Sequence, residues 1–145
     1  MEKTAVELSA HDLDEMKRIA ARLAAEIKPP LLIRVTGNLG AGKTTLIAEI
    51  LRNWGVASAT SPTFNLRNDY RIGAGRAVHL DFYRLKPGDS GFDLLPVDED
   101  YSDAVVFVEW PEKAAPAVFT AFENVADLAI RVSPDGTRHM LWQRE

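Results

Sequence analysis

The segment from Gly37 to Thr44 has the sequence GNLGAGKT, which matches the phosphate-loop pattern G-x-x-x-x-G-K-[ST]. Glycines let such a loop wrap closely, so that backbone N–H groups and the start of the next helix point at phosphate oxygens. Lys43 is then expected to reach the β and γ phosphates, and the Thr44 hydroxyl to bind Mg²⁺. The predicted nucleotide contacts follow one another along the loop: Asn38, Leu39, Gly40, Ala41, Gly42, Lys43 and Thr44. The pattern therefore predicts a site for a nucleoside triphosphate.

The residues that flank the loop supply the setting that this motif requires, a strand before it and a helix after it. Residues 31–35 form an apolar run typical of a strand, and apolar residues after the loop fall on one helical stripe. The other explanation is a glycine-rich turn that holds a lysine by chance. A chance match at all four fixed positions in such a chain is on the order of one percent. Nucleotide binding is therefore the favoured hypothesis.

Two acids at strand ends are candidates for the magnesium partner that a phosphate loop needs. Asp81 and Glu109 both end predicted strands, and the apolar run 105–108 before Glu109 is uninterrupted, as in a parallel strand buried on both faces. Either acid would serve Mg²⁺, and the other explanation makes each a solvated carboxylate. His79 and His139 have no ligand spacing to another histidine, and we expect core or surface roles for them.

Composition sets limits on the function. The chain has 145 residues, 46% of them hydrophobic, which predicts one domain over residues 1–145 with a single core. No apolar run would span a bilayer and the first residues lack a signal-peptide pattern, so we expect a cytoplasmic protein without membrane contact. The absence of cysteine excludes disulfides and thiolate metal sites. A net charge of −4 argues against a broad nucleic-acid surface, so a partner is expected to hold any nucleic acid.

Periodicity predicts the elements that position these residues. A first helix is expected to begin at a capping box, residues 9–12, and to continue to Ile27 before a Pro-Pro pair stops it. Residues 57–70 predict a loop and then a strand, which pairs antiparallel with a strand at 77–83. The charged segment 86–103 predicts a long, mobile surface loop.

The remaining residues complete the predicted fold. A short helical stretch is expected at 112–122, followed by a hairpin with strands at 125–132 and 138–142 and the turn Ser-Pro-Asp-Gly between them. The order of elements predicts an α/β fold, a P-loop NTPase-like three-layer domain with a mixed parallel and antiparallel central sheet. The nucleotide is expected outside the carboxyl ends of the parallel strands.

Four sequence blocks together resemble the TsaE family: GNLGAGKTTL, SPTF at 61–64, HLDFYRL at 79–85 and VEWPE at 108–112. Their order and spacing cover nearly the whole chain, which makes the resemblance specific. It implies a small bacterial ATPase that uses ATP and Mg²⁺ and acts with the TsaB and TsaD proteins to make N6-threonylcarbamoyladenosine in tRNA. In that family TsaD transfers the threonylcarbamoyl group and TsaE hydrolyses ATP to reset the complex. Contact with tRNA is then only indirect, through the complex.

The resemblance also implies roles for individual residues. Asp81 and Glu109 correspond to acids that serve Mg²⁺ and catalysis, together with Lys43 and the metal-binding Thr44. Thr63 corresponds to a switch-type threonine that senses the γ-phosphate, and the resemblance places Thr63 among the catalytic residues. Three further matches are nucleotide contacts: Thr45 beside the α-phosphate, Trp110 near the active site and Arg138 after the hairpin turn. A core role at the strand end is the other explanation for Trp110.

Two positions depart from the family's pattern. Met16 stands where relatives have a threonine near the base, so the family's base contact does not carry over to this position. Pro96 stands where relatives have a glycine in the loop before the Glu-Trp-Pro block, and proline restricts φ where glycine does not. We therefore expect this loop to differ from that of relatives.

Alternative functions remain open. A small P-loop kinase for a small-molecule acceptor would use the same loop, but the arginines form no lid-like cluster in the sequence. A GTPase would need an Asn-Lys-x-Asp motif, which the chain lacks. A non-catalytic nucleotide-sensing subunit would use both acids for binding alone. Because no arginine finger is identifiable, we expect an ATPase that is slow alone and activated by its partners.

Overall fold

The computed structural model describes residues 4–62, 66–73 and 75–144, so the predicted switch residue Thr63 lies outside the described residues. The helices are α1 (Leu13–Glu26) and α2 (Lys43–Asn53), with 3₁₀ helices at Pro111–Lys113 and Pro116–Phe119. The strands are β1 (Thr4–Ala10), β2 (Leu31–Thr36), β3 (Arg67–Ile72), β4 (Gly75–Asp81), β5 (Ala104–Glu109), β6 (Val125–Val132) and β7 (Arg138–Arg144).

The strands form one mixed sheet in the order β1-β7-β6-β2-β5-β4-β3. β2 pairs in parallel with β5 and β6, and β4 pairs in parallel with β5, so four central strands share one direction. The predicted antiparallel pairs, β3 with β4 and β6 with β7, are both present. β5 is buried along its whole length, as its apolar run predicted. The α/β fold class with a mixed central sheet is confirmed.

Both α-helices cover one face of the sheet. Their buried side chains, among them Met16, Leu23, Ile47 and Leu51, pack with strand residues in one apolar cluster. Helices of this length are marginal in water and depend on such packing, which contributes about 1.5–3 kcal/mol for each large side chain buried. Among the described residues, no helix is long and apolar enough to cross a bilayer. Packing of α2 against the sheet fixes the end of the phosphate loop.

The opposite face is covered over β5 and β4 by the segment 86–103 and the two 3₁₀ helices. Leu95, Val118 and Phe119 are buried there in a second cluster with strand residues such as Val106. The prediction of a surface loop at 86–103 is therefore wrong at Leu95, whose side chain is only 1% exposed. The segment supplies part of the third layer.

The helical stretch expected at 112–122 is reduced to the two 3₁₀ helices. Ala115 before Pro116 is extended, with φ −66° and ψ 134°. A residue before proline avoids the α conformation, and the proline itself lacks a donor for the preceding turn. A continuous α-helix therefore cannot form across this position.

β1 is an edge strand that the sequence did not predict, and its last two residues, Ser9 and Ala10, overlap the predicted capping box. Ser9, the first residue of the predicted capping box, pairs with His139 in the antiparallel register of β1 and β7. The N-cap of α1 is Asp12, whose carboxylate accepts a hydrogen bond from the Glu15 N–H at 2.8 Å. The predicted cap at Ser9 is wrong, because strand pairing occupies that residue and the chain turns only after it.

A cluster of ion pairs fastens the segment 86–103 to the β3-β4 hairpin. Glu99 Oε2 accepts from Arg67 Nη2 at 2.8 Å and from Arg76 Nη1 at 2.6 Å. Arg67 also donates to the Leu94 carbonyl at 2.9 Å. Hydrogen bonds from Arg67, and then from Arg76, lower the pKa of Glu99 to about 2. These contacts hold the covering segment against the hairpin that leads into the site.

Glu99→Gln should lower the free energy of unfolding by about 1 kcal/mol at pH 7, since solvent screens a partly exposed ion pair. The pKa of Glu99 is lower in the folded protein than in the unfolded chain. The stabilisation is therefore present above about pH 4.5 and is lost as the pH falls toward 2. Urea titrations between pH 7 and pH 3 should show the difference between wild type and variant shrinking with falling pH.

The matched control is Asp98→Asn, which removes an exposed acid of the same segment and should change the unfolding free energy little. A stability difference for Glu99→Gln that stays constant from pH 7 to pH 3 would contradict the ion-pair explanation.

Candidate nucleotide-binding site

The phosphate loop connects Thr36 at the end of β2 to Lys43 at the start of α2. Gly40 and Gly42 have φ angles of 79° and 102°, a region in which side chains are strained. A β-carbon at Gly42 would also stand only 2.9 Å from Arg138 Nε. The turn therefore favours glycine at position 42, and a side chain there would also displace Arg138 from the loop.

Lys43 is buried at the base of the loop. Its ammonium donates to the Asn38 carbonyl at 3.1 Å and to the Gly37 carbonyl. The same group lies 4.2 Å from the centre of the Trp110 ring, within the range of cation–π attraction. Burial lowers the pKa of Lys43, against the attraction of Glu109 and other nearby acids. A poorly hydrated ammonium attracts an anion more strongly than one in bulk water.

Thr44 and Glu109 meet at the carboxyl edge of the parallel strands. Thr44 Oγ1 lies 3.0 Å from each carboxylate oxygen of Glu109, so the hydroxyl donates to the carboxylate. Thr44 lies in the first turn of α2, and Glu109 is the last residue of β5 and is 3% exposed. This contact joins two motifs that are 65 residues apart in the sequence.

Asp81 ends β4 directly beside Glu109 in the parallel register of β4 and β5. Its carboxylate accepts a hydrogen bond from the Tyr83 N–H at 3.0 Å. Burial raises the pKa of Asp81; the Tyr83 N–H opposes this shift, and the negative charge of Glu109 adds to it. The sequence allowed either Asp81 or Glu109 to be the acid that serves Mg²⁺ beside the phosphate loop. In the structure Glu109 contacts Thr44 and Asp81 lies alongside.

His79 is a second partner of Glu109. His79 Nε2 lies 2.6 Å from Glu109 Oε2, and the two residues are 1% and 3% exposed. From the sequence we expected a core or surface role for His79, without contact with a site residue. The spacing His-x-Asp carried a usable signal, because residues two apart on a strand share a face and Asp81 was already a site candidate.

The cleft that these groups border has a volume of about 560 Å³. Most predicted site residues line it: Leu39, Gly40, Ala41, Gly42, Lys43, Thr44, Thr45, Asp81, Glu109, Trp110 and Arg138. Asn38 instead lines a separate cavity of about 490 Å³ bordered by β1, β6 and β7. Residues that were not predicted complete the lining: Ser61, Pro62, Leu66, Tyr83 and Arg84. Pro62 directly precedes Thr63, which lies outside the described residues.

Arg138 and Met16 both lie against the phosphate loop. Arg138 Nε donates to the Ala41 carbonyl at 3.0 Å. The Met16 methyl group lies 3.2 Å from the place of a β-carbon at Gly42, and the residue is 2% exposed. Where the resemblance implied a base-side position, this chain has a buried apolar contact with the loop.

Two aromatic rings form the rim of the cleft. The rings of Tyr83 and Trp110 are 5.0 Å apart between centroids and tilted by 52°. Trp110 is only partly buried and has a φ of 57°, a strained conformation for a residue with a side chain. Lys113 Nζ lies 5.3 Å from the centre of the Tyr83 ring. Trp110 therefore lies at the rim with its ring over Lys43, and it also packs against the second apolar cluster.

The donor chemistry at the carboxyl edge fits Mg²⁺. This ion takes oxygen ligands and is held in nucleotide sites by one or two carboxylates together with phosphate oxygens. The Thr44 hydroxyl and the carboxylates of Glu109 and Asp81 offer such oxygens. The described residues contain no group of three or more His, Cys, Asp or Glu that could hold a metal alone. A magnesium ion here would therefore complete its coordination with nucleotide oxygens and water.

Comparison with known proteins identifies the family. The family model described as "Threonylcarbamoyl adenosine biosynthesis protein TsaE" matches residues 10–140. The chain belongs to the TsaE family. A protein of Streptomyces coelicolor named tRNA threonylcarbamoyladenosine biosynthesis protein TsaE is 36% identical over 129 residues, covering 86% of this chain and 87% of the relative. A protein of the same name from Synechocystis is 34% identical over 118 residues, covering 78% and 74% of the two chains.

A solved structure has the same fold as this TsaE-family chain. The crystal structure of Bacillus subtilis YdiB matches with a TM-score of 0.74 over 99% of this chain and 88% of that chain, at 24% identity. The family resemblance drawn from the four sequence blocks is thereby confirmed by family model and relatives, and the mixed α/β architecture by the solved structure.

Asp81→Asn should raise thermal stability while it weakens metal-dependent binding. The pKa of Asp81 is raised in the folded protein, so its stability contribution is lost as the pH rises through that pKa. The amide keeps an oxygen for the Tyr83 N–H. Without nucleotide, the melting temperature of the variant should exceed that of wild type at pH 7 and match it below about pH 4.

In calorimetric titrations the affinity of Asp81→Asn for ATP should fall about tenfold with Mg²⁺ and stay unchanged in EDTA. Asp89→Asn, which alters an exposed acid outside the cleft, serves as the control and should match wild type in both assays. Wild-type affinity of Asp81→Asn with Mg²⁺ would remove Asp81 from the metal site.

Proposed function

We propose that this chain is the ATP-binding and ATP-hydrolysing subunit of the bacterial machinery that makes N6-threonylcarbamoyladenosine in tRNA, acting in the cytoplasm. The contact between Thr44 and Glu109, beside Asp81 and behind the phosphate loop, is the observation that carries the proposal. A glycine turn with no ligand gives no reason to bury the Glu109 carboxylate against its threonine and to place a second, half-buried carboxylate alongside. The names of the relatives support the choice of pathway.

The cleft favours a nucleoside triphosphate with a magnesium ion. Amide groups at the start of α2 and the ammonium of Lys43 attract phosphate oxygens. Thr44, Glu109 and Asp81 would hold Mg²⁺, which on binding would neutralise charge on the phosphates. ATP is preferred to GTP because the sequence lacks a guanine-recognition motif.

Glu109 is the candidate to orient the attacking water. Its carboxylate is buried and is held by both Thr44 and His79, so its orientation is fixed before nucleotide binds. A fixed carboxylate next to the γ-phosphate position can accept a hydrogen bond from the attacking water, as the water-positioning residues of other P-loop enzymes do. Loss of that interaction should affect the transition state more than the bound ground state.

Glu109→Gln is expected to lower kcat at least about a hundredfold, because an amide is a weaker acceptor for the attacking water than a carboxylate. A smaller loss of ATP affinity in Mg²⁺, about tenfold, should accompany it, because the amide is also a weaker Mg²⁺ ligand. Single-turnover hydrolysis of radiolabelled ATP measures this step directly. Glu123→Gln removes an exposed acid just before β6, outside the cleft, and should keep wild-type rates. Equal rates for Glu109→Gln and wild type would defeat the assignment.

Partner proteins are expected to complete the site. Of the arginines that line the cleft, Arg138 is bonded to the loop carbonyl of Ala41 and Arg84 is exposed at the mouth. A positive charge placed over the γ-phosphate contributes about 10³–10⁵ in kcat in this enzyme class. The proposed partners are TsaB and TsaD, and the net charge of −4 favours tRNA contact through them rather than directly.

The isolated chain should therefore hydrolyse ATP slowly, and addition of both TsaB and TsaD should raise the steady-state rate about tenfold or more, as loop ordering by a partner assembles an active site. Threonylcarbamoyl transfer to tRNA should continue over many turnovers only with hydrolysable ATP. A non-hydrolysable analogue is the control and should allow at most one turnover.

Two outcomes would favour the alternatives. If ATP and its non-hydrolysable analogue support equal tRNA modification, the chain is a nucleotide-sensing subunit. If the chain alone hydrolyses ATP as fast as the full mixture, partner activation is wrong. If it transfers phosphate to a small acceptor, the kinase hypothesis replaces the ATPase proposal.

A further inference from the structure

His79 is a buried polar residue beneath the proposed site. Its Nε2 lies 2.6 Å from Glu109 Oε2, and its side chain is 2% exposed. Nδ1, the other ring nitrogen, is fully buried and has no hydrogen-bond partner among the described residues. A buried imidazole without a second partner is costly to retain for packing alone, so the contact with Glu109 needs a functional explanation.

The sheet geometry explains how His79 reaches Glu109. In the parallel register of β4 and β5, His79 is opposite Phe107 and Asp81 is opposite Glu109. His79 and Asp81 share a strand face, so His79 lies one pleat further from the carboxyl edge and contacts Glu109 diagonally. His79 does not line the cleft. It therefore acts on the nucleotide only through Glu109.

The hydrogen bonds of Glu109 define the orientation of its carboxylate. Oε2 accepts from His79 and lies 3.0 Å from Thr44 Oγ1, while Oε1 has only Thr44 as a protein partner among the described contacts, also at 3.0 Å. Because His79 holds Oε2, rotation of the carboxylate about its last bond is restricted. Oε1 is then the oxygen that is free to exchange Thr44 for a ligand in the cleft.

We propose that His79 is a positioning residue that donates from Nε2 to Glu109 and keeps the second carboxylate oxygen directed toward the cleft. This inference rests on the proposed function, because it assigns Glu109 to magnesium binding and to orientation of the attacking water. A partner that orients a metal-binding carboxylate typically contributes about tenfold to a hundredfold in metal affinity or activity. We expect an effect of that size for His79.

Two substitutions separate the hydrogen bond from the packing. His79→Leu fills part of the same volume without a donor, whereas His79→Gln carries an amide N–H close to the position of Nε2. His79→Leu should lower ATP affinity in Mg²⁺ and single-turnover hydrolysis about tenfold or more each, and should leave ATP affinity in EDTA within about twofold of wild type. His79→Gln should recover most of both losses.

Phe107→Leu is the matched control, because it changes the buried neighbour of His79 in the sheet register without touching a polar group. It should lower the melting temperature and leave the magnesium dependence of ATP binding unchanged. If His79→Leu fails to fold, His79→Asn replaces it, since its shorter amide lies near Nδ1 and cannot reach Glu109. His79 would be assigned to packing by either of two results. One is that His79→Gln loses as much ATP affinity and hydrolysis as His79→Leu. The other is that His79→Leu loses as much ATP affinity in EDTA as in Mg²⁺.

A double substitution distinguishes this inference from the proposed function. In a Glu109→Gln background, His79→Leu should cause less than about a twofold further loss, because both changes remove the same interaction. If Glu109→Gln itself affects neither Mg²⁺-dependent binding nor hydrolysis, the proposed function fails. If Glu109→Gln is impaired and His79→Leu behaves as wild type, the positioning role alone is overturned.

Discussion

The hydrogen bond between Thr44 and Glu109 is the interaction on which the rest of the site depends. It requires the first turn of α2 and the last residue of β5 to meet at one edge, which the parallel pairing of β2 with β5 provides. The same pairing of β5 with β4 brings Asp81 to that edge. Helix packing on one face and the segment 86–103 on the other keep these strands in register. The two apolar layers thus hold the side-chain oxygen atoms of Thr44, Glu109 and Asp81 at one edge of the sheet.

Concentrating charge at this edge opposes folding, and the structure shows how the cost is limited. Lys43 is surrounded by loop carbonyls and the Trp110 ring, and Glu109 by Thr44 and His79. Asp81 has a single backbone N–H, and burial raises its pKa. Functional sites commonly bury charged groups at a cost in stability, because the chemistry needs those groups there and the packing of the core does not. In the proposed complex, phosphate and a cation would together compensate each of these charges better.

The sequence predicted the parts of the fold that have strong local signals, and missed those that depend on distant contacts. The loop pattern 37–44 and the apolar run 105–108 specify their own structures, so the central strands and α2 were predictable. β1 forms only because β7 is beside it, and its short alternation overlapped with a plausible helix cap. The burial of Leu95 depends on strands far away in the sequence. His79 was underestimated because its partner, Glu109, is 30 residues distant.

The site divides into a floor built on regular elements and a mouth built on connecting segments. Lys43, Thr44 and Glu109 lie on α2 and β5, where backbone hydrogen bonds and packing fix their positions. Residues 61–62, Tyr83 and the strained Trp110 border the mouth and lie outside helices and strands. The groups proposed to bind phosphate and metal are therefore held by rigid elements of the chain itself. A partner protein that alters the site is expected to act at the mouth, because the backbone there can move without breaking the sheet.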